Sequence, residues 1–131
     1  MRIRNAISCL LFGATLTSHI ANADTPIIID NRSPGAGAEA GIWLEATTAT
    51  DSFLIDSVYA TTGGAVDTFR FTPELEAGQY EVSAWKSCFS PRANDVPHRV
   101  HHSGGMTEVL VDQDAAPETC GRFVELGVIC Q

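Results

Sequence analysis

Cations are scarce in this chain. Its 131 residues carry eight Lys and Arg against sixteen Asp and Glu, a formal charge of −8 at neutral pH. Such a surface repels phosphate backbones, because binding nucleic acid depends on Lys and Arg neutralising phosphates. It is disfavoured at anionic membrane surfaces for the same reason, and its plainest consequence is solubility. No apolar run after the N-terminal region reaches the ~20 residues that a membrane-spanning helix needs. No internal repeat and no amphipathic helix is legible. There is no G-x-S-x-G elbow to present a nucleophilic serine. Gly35-Ala36-Gly37 is followed by neither a helix nor a Lys that would cradle a phosphate. Neither Asp112-Gln113-Asp114 nor Asp30-Asn31 has the EF-hand pattern, although both offer oxygen ligands and turn-forming carboxylates.

What the chain does have begins at its N-terminus. Arg2 and Arg4 precede a short, mostly apolar stretch from Ile7 to Ile20, and Ala21-Asn22-Ala23 follows as a small-x-small cleavage pattern. That order is the mark of a secretory leader. The expectation is a signal peptide over 1–23, cut after Ala23, and a secreted or periplasmic product of residues 24–131, the length of one domain. Loss of Arg2 and Arg4 would make the product two charges more negative still.

Cysteine use fits export. Cys9 would leave with the leader, so Cys88, Cys120 and Cys130 remain, with three pairings possible. Cys120 and Cys130 flank Arg122 to Ile129, which reads as a strand and would hold them more than about 20 Å apart. A disulfide needs Cα atoms within about 7 Å. Cys88 is therefore the expected partner in any bond, Cys120 is favoured over Cys130 as the other, and one thiol is left free. The alternative is three unpaired thiols.

Gly and Pro at short intervals suit strands joined by turns. Ile27 to Ile29 is a β-branched run, Gly35 to Gly41 reads as a small-residue loop, and Ile42 to Leu44 restarts an extended segment. Ser52 to Tyr59 is strand or loop, and Gly63-Gly64 is a turn. Phe69 and Phe71 share a face against Thr68 and Arg70. Tyr80, Val82 and Ala84 alternate with Glu81, Ser83 and Trp85, the period-two mark of a strand with one buried side. His98 to His102 is extended, Thr107, Val109 and Val111 alternate with Glu108, Leu110 and Asp112, and Val124, Leu126 and Val128 share a face. Six to eight short strands in about 100 residues predict an antiparallel sandwich or barrel.

Segments along this chain, in order, carry a family pattern: Ile27-Ile28-Ile29-Asp30-Asn31, Pro34-Gly35, Gly41-Ile42-Trp43, Phe69-Arg70-Phe71-Thr72-Pro73, Gly78-Gln79-Tyr80-Glu81-Val82, Ala84-Trp85, Asn94-Asp95-Val96-Pro97, His102-Ser103-Gly104-Gly105, Val111-Asp112-Gln113 and Phe123-Val124-Glu125-Leu126-Gly127. Together they resemble the golvesin C-terminal-like domain, also described as a xanthan-lyase-type carbohydrate-binding-like domain. The resemblance implies an all-β antiparallel sandwich of carbohydrate-binding-module type, appended in other proteins to polysaccharide lyases. It implies no catalytic residue and no cofactor. The chain departs from the pattern in three ways. It stops at Gln131, where the family domain continues for further strands, which implies missing last strands and an open sheet edge. Phe123 stands where the family usually has a Trp, and the cysteines look particular to this chain.

The implied function is a non-catalytic secreted module binding extracellular polysaccharide. The alternatives are a protein-interaction or structural module completed by a partner strand or by a second copy at the open edge, and a truncated remnant. Sugar contact calls for aromatic rings, and the candidates are Trp85, Trp43 and Tyr59. Tyr80 shares parity with Val82 and is assigned to the core. Trp43, between Ile42 and Leu44, is a core candidate too. Trp85 points away from the main core, either toward a ligand or into a second, minor core under the Ser87 to Pro97 loop. His98 and His102 share a strand face while His101 points the other way, so no metal site is expected. A polar histidine strand of this kind gains charge below about pH 6.5. Ser103 with His101 and Asp95 or Asp112 is a weak triad, and the chain is not expected to be an enzyme.

Overall fold

The computed structural model describes residues 1–6, 25–61 and 66–131. The expected Gly63-Gly64 turn and most of the expected leader lie outside them. No helix among the described residues is long and apolar enough to cross a membrane. The described regular structure is almost entirely strand: β1 (Arg2–Asn5), β2 (Ile27–Ile28), β3 (Ala36–Ala40), β4 (Trp43–Ala46), β5 (Ser57–Ala60), β6 (Thr68–Phe71), β7 (Gln79–Lys86), β8 (Val96–His102), β9 (Gly105–Val111) and β10 (Arg122–Cys130), with one 3₁₀ turn at Pro117–Thr119. All described pairings are antiparallel. The fold is an all-β sandwich.

Its main sheet has the order β10-β7-β1-β2, and three two-stranded ribbons join β3 to β6, β4 to β5 and β8 to β9. The alternation read in β7 sets the layers. Tyr80 and Val82 face the core with Ile3, Val111, Leu126 and Ile129, and Val100 and Val109 of the β8–β9 ribbon pack against them. The opposite face of the main sheet carries Arg2, Trp85 and Phe123, as the cross-strand register requires.

Two local expectations are corrected. The Gly35 to Gly41 segment is not a loop: Ala36–Ala40 pairs with β6, Ala36 opposite Phe71 and Ala38 opposite Phe69. Its small residues carry no β signal of their own, and partner strand β6 supplies it. Val128 does not share a face with Leu126: a bulge between Glu125 and Gly127 moves the register, so Leu126 and Ile129 are buried while Val128 is exposed. A bulge adds one residue and reverses the parity beyond it.

In the chain with its N-terminal residues present, Arg2–Asn5 form β1, an interior strand between β7 and β2. Ile3 is 2% exposed, among the most buried side chains described. In this structure β1 fills the lane between β7 and β2.

Candidate functional site

The turn from β3 into β4 is fixed by Gly41, whose positive φ of 84° and close approach to the Asp67 carboxylate leave no room for a side chain. From it the β4–β5 hairpin runs outward, pairing Trp43 with Ala60, Leu44 with Tyr59 and Glu45 with Val58. Directly opposed residues share a face. One face therefore carries Leu44 and Tyr59, 41% and 37% exposed, with Ile42, 68% exposed, continuing it. The other carries Trp43 and Glu45.

Trp43 is half-buried, with its ring edge-on to Phe69 at 5.3 Å and its Nε1 donating to the Ala40 carbonyl at 2.9 Å. Beside it lies a polar network that sequence reasoning missed. The side chain of Asp56 is buried, and it accepts Asn31 Nδ2 and Arg32 Nε, both at 2.7 Å. Arg32 also pairs through Nη2 with Asp56 and, at 3.0 Å, with Glu45. The Asn31 hydrogen bond, with the Arg32 bonds and charge beside it, holds the Asp56 carboxyl below its ordinary value against the opposing effect of burial. Arg32 is raised in turn by Asp56. Asp30-Asn31 was the legible hint, but it reads as turn or calcium chemistry. Asp56, 25 residues away from Asn31, is found only in three dimensions.

Trp85 is on the side its parity predicts, away from Val82. Its ring lies 5.1 Å from Phe53 and 5.0 Å from Phe123, and those two rings are 5.3 Å apart. Trp85 Nε1 donates to the Asp51 carbonyl at 2.7 Å. This is a minor core, built under the Asp51–Phe53 segment rather than under the Ser87 to Pro97 loop. The three proposed contact aromatics are not brought together: Trp43 and Tyr59 sit on opposite faces of one hairpin, and Trp85 belongs to another cluster.

Cys88 and Cys120 form a disulfide with Cα atoms 5.6 Å apart. The expected free thiol is not found: Cys130 is also disulfide-bonded, and no described cysteine is free. Among the described residues one three-residue cluster has metal-site spacing, Asp51 with Cys88 and Cys120. Its two sulfurs are joined to each other and are not thiolate ligands, while the Asp51 carboxylate accepts Ser87 Oγ and the Cys88 amide. His98 lies half-buried with Nδ1 3.1 Å from the Val96 carbonyl, and burial lowers its pKa despite that bond. His98 therefore takes its proton below the pH expected of a polar strand. Ser103 Oγ donates to the Cys130 carbonyl rather than to a histidine.

Residues 27–129 match the family model of the golvesin C-terminal domain, and the chain belongs to that family. It is 33% identical over 90 residues to a xanthan lyase of Bacillus sp. (strain GL1), a match covering 66% of this chain and 10% of that protein. The structure of a Paenibacillus xanthan lyase superposes with a TM-score of 0.69 at 30% identity, over 78% of this chain and 10% of the lyase. The chain thus spans about a tenth of the length of these relatives.

Proposed function

We propose that this protein is a secreted, non-catalytic module that binds extracellular polysaccharide through the β4–β5 hairpin. The observation that supports the reading is the kinship of most of the sandwich with a small part of enzymes named for a polysaccharide substrate. A segment a tenth of such an enzyme's length is suited to holding substrate near chemistry done elsewhere.

Within the fold the Tyr59 face is the contact surface. Tyr59, Leu44 and Ile42 form an apolar surface that includes an exposed aromatic ring, and such patches mark contact sites. Trp43 anchors the hairpin from behind, and the half-exposed Arg32–Glu45 pair offers planar polar groups at its flank. The acidic surface favours a neutral or amino-sugar glycan over a polyanion. Affinity electrophoresis of the protein through a panel of neutral, amino-sugar and polyuronate glycans tests this. Retardation by a neutral or amino-sugar glycan that is lost in Tyr59→Ala supports it; free migration through every glycan contradicts it.

A further inference from the structure

The occupant of the lane between β2 and β7 is unusual in where it comes from. Arg2 to Asn5 pair with Ser83 to Tyr80, and Arg2 and Ile3 pair with Ile28 and Ile27. Beyond the ladder, Ala6 N–H donates to the Gln79 carbonyl at 2.7 Å, and Ile29 N–H donates to the Met1 carbonyl at 2.9 Å. Six residues thus satisfy main-chain groups on both neighbouring strands. These are the residues that the sequence assigns to the start of a removable leader. Removal would expose facing rows of unpaired N–H and C=O groups in the middle of a sheet, not at its rim, together with the Val82 surface that Ile3 covers. Exposed strand edges of this kind are templates for pairing.

The lane also has side-chain preferences. Toward the core it takes one branched aliphatic residue, the position of Ile3. On the opposite face the Arg2 guanidinium lies 4.2 Å over the Phe123 ring and 4.0 Å from Glu81. Glu81 stands directly opposite Arg4. These contacts select a cation on each side of the aliphatic residue. They hold this occupant loosely: the Glu81 pair is at the limit of an ion pair, and Arg2 Nε is buried without a hydrogen-bond partner.

We propose that the β2–β7 lane is a strand-acceptor site for an extended partner peptide of the pattern basic–aliphatic–basic, with the chain's own first six residues as its exchangeable occupant before processing. The inference rests on the export reading and not on glycan binding, so the two fail separately.

The test uses the full chain carrying Cys9→Ser and Cys130→Ser, so that no cysteine can tether the connecting segment, and a protease site inserted between Ser18 and Asn22. The protein is folded, cut, and mixed with excess fluorescent peptide of the sequence of residues 1–6. Anisotropy reads binding, mass spectrometry reads release of the native fragment, and circular dichroism reads the fold. The expected result is exchange of the labelled peptide into the domain, at least tenfold weaker for the Ile3→Asp peptide and for the Arg2→Glu, Arg4→Glu peptide. A cut domain that unfolds as the fragment leaves and refolds when peptide is added supports the proposal equally. Retention of the native fragment with no exchange at equilibrium, loss of the fragment with no peptide uptake by a folded domain, or unfolding that peptide does not reverse would overturn it.

Discussion

The main-chain carbonyl of Asp51 accepts the indole Nε1 of Trp85 at 2.7 Å, across 34 residues of sequence. The Asp51 carboxylate meanwhile accepts Ser87 Oγ and the Cys88 amide, each at 2.7 Å. One residue thus ties down the end of β7 and brings Phe53 over the Trp85 ring. An indole with its N–H satisfied and its ring against two phenylalanines acts as a packing element.

Trp85→Ala is accordingly expected to destabilise the domain by about 3 kcal/mol, in the range for removing a large aromatic from a packed site. Trp85→Phe should cost less and leave glycan retardation unchanged. Urea unfolding followed by circular dichroism measures the first, and affinity electrophoresis the second. A stable Trp85→Ala variant that has lost glycan binding would return Trp85 to the contact surface.

Strand alternation made β7 legible, because Tyr80 and Val82 must be buried together and Trp85 must then lie across the sheet from them. The same logic failed in β10, where the Glu125–Gly127 bulge is invisible to a period-two reading and reverses Val128. β3 was missed because Ala36 to Ala40 has no large side chain to show periodicity; its strand state comes from pairing with Phe69 and Phe71. The polar half of the candidate site was missed for a related reason. Asn31, Arg32, Glu45 and Asp56 lie on different segments, and nothing local marks a carboxylate that will be buried. β1 was hidden by a stronger signal, since Arg-Ile-Arg before an apolar stretch reads first as a leader.

The Cys88–Cys120 bond closes a sequence separation of 32 residues, which is worth on the order of 3–4 kcal/mol in the chain-entropy model. The Cys88→Ser, Cys120→Ser variant should unfold at correspondingly lower urea with a similar slope. Thiol labelling of unreduced wild-type protein should leave both residues unlabelled. Their ready labelling under native conditions would remove the bond from the account.

Acid should weaken the fold in two stages. His98 is held below its ordinary value of 6.5, chiefly by burial. The unfolded chain therefore binds its proton first, and stability falls as pH drops through 6.5 toward the lower folded value. Asp56 is held below 3.8, chiefly by the Asn31 hydrogen bond. Its contribution is complete above the unfolded value and is lost as pH falls from there through the folded one. Urea midpoints between pH 8 and pH 3 should show both losses. His98→Gln should flatten the upper stage, and Asp56→Asn should be less stable at pH 7 and lose the lower stage. Wild-type slopes in both variants would contradict these assignments.

The central claim is that the sandwich holds neutral or amino-sugar polysaccharide on the Tyr59 face of the β4–β5 hairpin without acting on it. Isothermal titration of the full chain with the glycan that retards it in electrophoresis, run on wild type, Tyr59→Ala and Trp85→Phe, with the recovered glycan sized by chromatography, tests it most directly. The account predicts saturable heat for wild type and Trp85→Phe, at least a tenfold loss of affinity in Tyr59→Ala with the fold intact, and glycan of unchanged length. Equal affinity in Tyr59→Ala, or shortened glycan, would contradict it.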